Sequence, residues 1–406
     1  MTQQDRTRYA ELLIAALGLK EGQNLRIKGE PVHWPLMTEL AAVAYRAGAR
    51  FVDVNSDHAA LHKARVENSR EEYLEYVPAT VDAVQKVLVE EQWALISVKN
   101  MEDPDFYADL DQAKNGTVQR AVAHAQQPFR RAVQANKFQW LVCSWPTDPW
   151  ARKILGPDAT SEKLWEAMQP ILRLDREDPV QAWWDHAAAL DRRAEEFEKL
   201  GIDRLHFSGP DTDLTVGLPE KVHWLGGSAE ADTGATFLPN LPTEEVFTTP
   251  DYRRTEGTVQ VTRPVLVLGN LVEGATFTFR EGKVVDYDAR RGKESLDRYF
   301  QIDDNARYLG EIALVDAASP IYQSGLTFYD ILLDENAANH FALGSAYPGG
   351  VHGGDALSEE EMTAAGINRS AVHTDFMFGS DDLTCTANLR DGSTREIMRG
   401  GRFTSQ

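Results

Sequence analysis

Cysteine is almost missing from this sequence: Cys143 and Cys385 are the only two in 406 residues. Two thiols cannot build a disulfide framework or a cysteine-rich zinc site. Positive charge is short as well, with 42 Lys+Arg against 63 Asp+Glu and a formal charge of −21. Such an acidic surface has no broad basic stripe to track nucleic-acid phosphates and no attraction for anionic lipid. Neither nucleic acid nor a membrane is therefore an expected partner. No apolar run reaches the roughly 18 residues that a membrane span needs. The chain opens on the polar stretch Met1-Thr2-Gln3-Gln4-Asp5-Arg6, which has no signal-peptide character. A soluble, cytoplasmic protein is expected.

Glycine-rich phosphate loops are missing too. The first strand pattern leads into Gly29-Glu30-Pro31-Val32-His33-Trp34-Pro35, one glycine and two prolines where G-x-G-x-x-G would be needed. No G-x-x-x-x-G-K-[ST] follows, so the first half reads as scaffold without a nucleotide site. What is present there is a βαβ rhythm. Tyr9, Leu12, Leu13, Ala16 and Leu17 mark one face of an opening helix. Strand signals at residues 25–28, 51–55, 93–98 and 138–143 alternate with helical stretches, including 36–47. This pattern predicts a mostly parallel sheet covered by helices. Two helices follow at 161–172 and 178–200, the second introduced by Asp178-Pro179.

Beyond residue 200 the texture becomes β-rich. Segments 204–207 and 213–218 flank Ser208-Gly209-Pro210-Asp211 as a hairpin, and strands are expected at 259–268, 275–279 and 284–288. Glu281-Gly282 is the turn between the last two, and a short helix is expected at 296–301. The expected fold is α/β: an N-terminal domain, 1–203, with a mostly parallel helix-covered sheet, and a β-rich α+β domain, 204–406.

Most of the ten histidines have an ordinary reading. His58 and His62 are four apart but lack an H-E-x-x-H context, so they read as a solvated helix surface. His206 lies in an apolar strand and reads as a packed, hydrogen-bonded side chain. His373 differs, because Ala371-Val372-His373-Thr374-Asp375-Phe376-Met377-Phe378 reads as a strand. Residues two apart on a strand share a face, so His373 and Asp375 point together while Val372, Thr374, Phe376 and Phe378 face away. That pair fits two ligands of a divalent ion or a structural His–Asp hydrogen bond.

Two further segments carry carboxylates in apolar surroundings. Glu311 opens Glu311-Ile312-Ala313-Leu314-Val315, where burial demands a compensating cation, either Arg/Lys or a metal. Glu244 and Glu245 precede Val246-Phe247, and adjacent residues on an extended segment face opposite ways, so at most one points inward. Glu335 lies five positions before His340. On a regular helix the two would sit about 140° apart in projection, so both reach one ion only if the helix breaks.

Taken together these segments resemble the family of thermophilic-type metallo-aminopeptidases that includes aminopeptidase T, aminopeptidase S and PepS. The matching stretches are residues 240–250 continued by Arg253-Arg254-Thr255-Glu256-Gly257-Thr258, Gly310-Glu311-Ile312-Ala313-Leu314-Val315, Leu333-Asp334-Glu335-Asn336-Ala337-Ala338-Asn339-His340, and His373-Thr374-Asp375-Phe376-Met377. The resemblance implies two divalent metal ions per subunit (zinc, cobalt, manganese or magnesium) in the C-terminal domain. It implies Glu245, Glu311, His340, His373 and Asp375 as ligands, with Glu311 bridging and Glu335 as a further ligand or nearby acid. Tyr347 matches an active-site tyrosine, and Glu311 and Tyr347 are the expected catalytic groups.

The activity so implied is removal of the N-terminal residue from peptides by a metal-activated water, in a homodimer. Ring-cleaving dioxygenases acting on dihydroxypyridine resemble the same family and hold one iron by two histidines and a carboxylate. His340, His373 and Asp375 would satisfy that alternative, but Glu245 and Glu311 are then left without a role.

Overall fold

Thr2 opens the first helix, α1 (Gln3–Leu17), through a reciprocal cap with Asp5: each side chain accepts from the other's backbone N–H. Tyr9, Leu12, Leu13, Ala16 and Leu17 are all buried, and Gly18 ends the helix in the left-handed conformation. The computed structural model describes residues 1–99, 106–107 and 109–404. Two units are distinguished, Met1–Asp185 with Ser228–Leu241, and His186–Gly227 with Pro242–Gln406.

In the first unit α1 is followed by β1 (Asn24–Gly29), α2 (Trp34–Arg46), β2 (Phe51–Ser56), α3 (Ala59–Asn68), α4 (Ala79–Glu90) and β3 (Ala94–Lys99). Helices α5 (Gln112–Ala125) and α6 (Gln127–Gln134), strand β4 (Trp140–Ser144), and helices α7 (Asp148–Leu155), α8 (Ser161–Ile171) and α9 (Pro179–Leu200) come next. The division between the units falls inside α9. The hairpin β5 (Ile202–Gly209) and β6 (Thr212–Gly217) belongs to the second unit, after which the chain returns to the first. The returning stretch contributes a short pair, β7 (Ala229–Glu230) and β8 (Thr236–Phe237), and then β9 (Asn240–Leu241). The main sheet has the order β2-β1-β3-β4-β9, with every pairing parallel. The helix-covered parallel sheet read from the sequence is therefore present. The units differ from a single cut after residue 203 because 228–241 supplies this sheet with its edge strand.

The second unit adds β10 (Glu245–Thr248), β11 (Thr255–Gln260), β12 (Val265–Val267), β13 (Asn270–Arg280), β14 (Lys283–Arg291) and β15 (Leu309–Val315). It closes with β16 (His340–Gly344), β17 (His373–Met377), β18 (Thr384–Leu389), β19 (Thr394–Arg399) and β20 (Arg402–Phe403). Glu281 and Gly282, with φ of 48° and 81°, make the two-residue turn between β13 and β14. The expected strand at 259–268 is instead split between β11 and β12. Pro264 has no N–H for a ladder, and the Thr262 N–H bonds Met377 O at 2.8 Å, which takes the chain off the first strand's line.

Two sheets of this unit pack face to face. The larger has the order β12-β13-β11-β6-β5-β18-β19-β20, with β14 on β13; the smaller is β10-β15-β16-β17. Phe277 of the larger sheet meets Phe376 and Phe341 of the smaller at ring-centroid distances of 5.0 and 5.9 Å. Val246, Ile312 and Leu314 join the same buried cluster. One face of the four-stranded sheet is thus committed to core, and the other is left for polar side chains. No helix among the described residues is long and apolar enough to cross a membrane.

Candidate metal centre

Register decides which side chains share the second face. Across antiparallel ladders, Glu245 stands opposite Val315, Ala313 opposite His340, Glu311 opposite Ala342, Ala342 opposite Asp375, and Gly344 opposite His373. Paired residues project to the same side, and so do residues two apart. Glu245, Glu311, His340, His373 and Asp375 therefore all rise from one face, with Ala313 and Ala342 as the floor between them. Gly344 must be glycine here: its φ is 108° and a Cβ would lie 2.1 Å from Val372 O.

Glu311 reaches this face by a β-bulge. Leu309 pairs with Leu343 and Glu311 with Ala342, so Gly310 is the extra residue on its strand. Leu309 belongs to the core side and Glu311, two positions on, to the site side. A Cβ at Gly310 would meet Ser345 O at 2.4 Å and Gly344 O at 2.6 Å, so the bulge admits only glycine without backbone movement.

The five side chains form two clusters that share Glu311: Glu245, Glu311 and His340, and Glu311, His373 and Asp375, each with ligand atoms within 4.8 Å of one another. Glu311 Oε1 lies 3.6 Å from His340 Nε2, and Oε2 lies 3.6 Å from His373 Nε2. Glu245 Oε2 is 3.1 Å from His340 Nε2, and Asp375 Oδ1 is 3.3 Å from His373 Nε2. Each imidazole is oriented from behind by a backbone carbonyl, His340 Nδ1 to Ala338 O at 3.1 Å and His373 Nδ1 to Ser345 O at 2.7 Å. Carbonyls only accept, so both Nδ1 atoms carry hydrogen and both Nε2 atoms face the carboxylates, the arrangement of metal-binding histidines. Glu245 Oε2 is buried and makes no well-aligned hydrogen bond among the described residues, although the His340 imidazole lies beside it at 3.1 Å. A buried carboxylate oxygen set against an imidazole nitrogen in this way fits a site made for a cation.

Without metal, protons do part of that work. Burial lowers the affinity of His373 for its proton, but the neighbouring Asp375 charge more than offsets this, and the pKa rises to about 9. His340 is likewise pushed well up, burial being outweighed by Glu245 and Glu311. Asp375 is held low, burial notwithstanding, by the charge of His373. Burial raises Glu311, partly countered by His340, with the charges of Asp375 and Glu245 adding to the rise.

Glu335 ends the helical turn Ile331–Glu335 and His340 begins β16, so the helix does break between them, the condition under which both could reach one ion. The Glu335 carboxyl is raised well above its usual range by burial and by the charges of Asp375 and Glu245. Tyr347 is 37% exposed overall, with its ring 5.1 Å from that of His373. Its phenol is held well above the ordinary tyrosine value by burial of the hydroxyl and by the charges of Glu311, Asp375, Glu335 and Glu245. The adjacent glutamates diverge, Glu244 Oε2 lying 3.2 Å from His186 Nε2 while Glu245 faces His340, but both are buried, so the expectation that at most one points inward fails: the backbone runs through the interior with a partner for each side. His58 is exposed, and His62 Nε2 lies 2.7 Å from Asn115 Oδ1, away from any such cluster. His206 is hydrogen-bonded, to Asp213 Oδ1 at 2.8 Å, but it is not packed: its side chain is 40% exposed on the hairpin.

A family model described as thermophilic metalloprotease (M29) matches residues 2–403. The chain belongs to this family. Aminopeptidase 2 of Geobacillus stearothermophilus is 37% identical over 400 residues, covering 98% of this chain and 97% of that protein. Aminopeptidase T of Thermus thermophilus is 37% identical over 400 residues with the same coverage, and aminopeptidase PepS of Streptococcus thermophilus is 37% identical over 97% of this chain and 96% of that protein. The solved structure of wild-type AmpT from Thermus thermophilus superposes with a TM-score of 0.92 at 34% identity, covering 100% of both chains. The resemblance read from the motifs is thereby established across the M29 chain, as is its mixed α/β architecture.

This M29 metallopeptidase also relies on residues that motif reading passed over. Asn336 and Asn339 are buried in the break before β16. Asn336 Oδ1 accepts the Glu244 N–H at 2.7 Å while its Nδ2 donates to Leu332 O at 2.8 Å. Asn339 Oδ1 accepts the Val315 N–H at 2.7 Å. The two amides thus tie the ends of β10 and β15 to the start of β16 and fix three ligand-bearing strands relative to one another. Buried asparagine in an irregular link between a helical turn and a strand was the available signal.

Proposed function

We propose that the M29 chain is a two-metal aminopeptidase, removing the N-terminal residue of peptides. Glu245, Glu311 and His340 would hold one divalent ion, and Glu311, His373 and Asp375 the other. The reading is carried by Glu311, whose two carboxylate oxygens address different histidines and so join the two clusters. The donor set of carboxylate and imidazole suits zinc, cobalt or manganese, and admits magnesium. When bound, such ions polarise a peptide carbonyl and lower the pKa of water so that it attacks near neutral pH.

The protein's own groups supply the rest. Burial and the neighbouring acids raise the Glu335 carboxyl, so it holds a proton more readily than an ordinary glutamate, which suits it to take one from water and return it to the leaving amine. Tyr347 keeps its phenolic proton, so its hydroxyl can donate to a developing oxyanion, a role worth about 10²–10³ in rate. Ala313 and Ala342 keep the floor low and leave room above the sheet. The names of the relatives support the N-terminal cut, and the family resemblance supports a homodimer acting in the cytoplasm. The one-iron dioxygenase alternative finds no support in the comparisons, and it leaves Glu245 and Glu311 as buried acids without purpose.

The test is turnover of a leucine chromogenic amide alongside metal analysis of the purified chain. Two non-iron ions per chain, hydrolysis that stops on chelation and resumes with cobalt, zinc or manganese, and no cleavage of N-blocked peptides are expected. Undiminished hydrolysis by a chain verified metal-free would overturn the mechanism.

A further inference from the structure

Away from Glu311 and its partners, Glu198, His223 and His352 each bring one potential ligand atom within 4.8 Å of the others. They come from three distant parts of the sequence within one unit: Glu198 from the last turns of α9, His223 from the stretch before Trp224, and His352 from the residues after the turn Pro348–Gly350. His223 Nδ1 lies 2.9 Å from Gly349 O, so that nitrogen carries the hydrogen and Nε2 keeps its lone pair. This is the outer-shell bond that orients metal-binding histidines. The two imidazoles stack with centroids 4.4 Å apart and planes 26° from parallel, and His352 Nε2 is in close contact with Glu198 Oε1. Two imidazoles and one carboxylate are a donor set for zinc and its borderline neighbours, with the remaining position left to water. The His352 side chain is 53% exposed and that of Glu198 32%, so an ion can enter and stay hydrated on one side.

We infer that Glu198, His223 and His352 bind a third, zinc-class divalent cation. Its place in the fold suggests what it does. The segment from Tyr347 to His352 is held at Tyr347 O by the Thr249 hydroxyl at 2.5 Å, at Gly350 O by the His223 N–H at 2.9 Å, and at the His352 N–H by Lys221 O at 2.9 Å. An ion on His352 and His223 would clamp the far end of this same segment to α9. The cation would therefore stiffen the mount of Tyr347; that consequence, though not the site itself, rests on the role proposed for Tyr347.

The test titrates metal-free full-length chain with zinc in competition with a chromophoric chelator, and compares wild type, His352→Asn, His352→Cys and Glu311→Gln. Wild type should bind one more zinc per chain than His352→Asn, and His352→Cys, which restores a ligand, should recover it. Glu311→Gln should retain the His352-dependent equivalent whatever happens to the others, so the fate of the two-metal reading is scored separately. Equal zinc uptake and equal zinc-induced thermal shifts in wild type and His352→Asn would overturn the proposal. Because His352 is exposed, the substitution leaves the core untouched and the comparison is between folded proteins.

Discussion

Replacing Glu311 by glutamine keeps the shape of the side chain and removes one negative charge from the point where both clusters meet. Three carboxylates, from Glu245, Glu311 and Asp375, belong to the two clusters. Together with one hydroxide they balance two divalent cations. In the variant one positive charge is left uncompensated. At about 4 Å and an effective dielectric near 20, a unit charge pair is worth about 4 kcal/mol, or roughly a thousandfold in metal affinity. The stabilisation that metal confers should fall by the same amount, which at about 2–4 °C per kcal/mol is about 8 °C or more in Tm. Metal content after dialysis against a weak chelator, melts with and without metal, and kcat on a leucine amide read the effect. Fewer than two ions per chain and a kcat lower by at least about a thousandfold are expected. Glu244→Gln is the matched control: Glu244, the sequence neighbour of Glu245, faces His186, and this variant should keep both ions. A Glu311→Gln chain with two ions and wild-type kcat would refute the shared-ligand geometry.

Three further expectations use other parts of the site. Tyr347→Phe should lower kcat by about 10²–10³ while metal content stays unchanged; loss of metal, or no loss of rate, would remove the tyrosine from its proposed role. Ala342→Leu puts bulk on the floor between Glu311 and Asp375, so metal content should fall and stability drop by about 1–3 kcal/mol, whereas full metal loading would show that the floor does not border the ions. In the metal-free chain the folded pKa of His373, about 9, lies above its unfolded value of about 6.5. The histidine's contribution to stability is thus complete below about pH 6.5 and is lost as pH rises through about 9. Metal-free wild type should melt lower at pH 9.5 than at pH 6.5, and His373→Gln should show a smaller drop; equal drops would place the titration elsewhere.

Much of this was legible in the residues. The period-two pattern around His373 and Asp375 is a local property, and the strand at His373–Met377 forms with those side chains on one face. The divergence of Glu244 and Glu245 also follows from backbone geometry alone, whereas the break before His340 entered only as a condition for Glu335 and His340 to reach one ion. What escaped was non-local. Residues 228–241 look like part of the β-rich half, and only their pairing with β4 sends them to the parallel sheet. His206 sits among apolar neighbours in sequence, but its strand exposes alternate residues and it lands on the wet face. Asn336 and Asn339 act through backbone groups on other strands, and a single sequence does not say which strands those are.

The extra residue at Gly310 has a consequence for how this sheet can change. It works as a change of reading frame: on its amino-terminal side odd-numbered positions of β15 face oil, and on its carboxy-terminal side they face the ions. Deleting that one glycine would close the bulge into regular alternation, with Leu309 still on the core face and Glu311 still on the site face, whereas deleting Ile312 would turn Ala313 toward the phenylalanine layer and Leu314 toward the carboxylates. Loss in the link before β15 costs only loop length and loss of Gly310 costs only the bulge, but loss of a residue beyond it exchanges inside for outside. Insertions and deletions should therefore be excluded from residues 311–315 far more strictly than from Gly310 itself, and chemical novelty on this scaffold is left to point substitutions above the alanine floor.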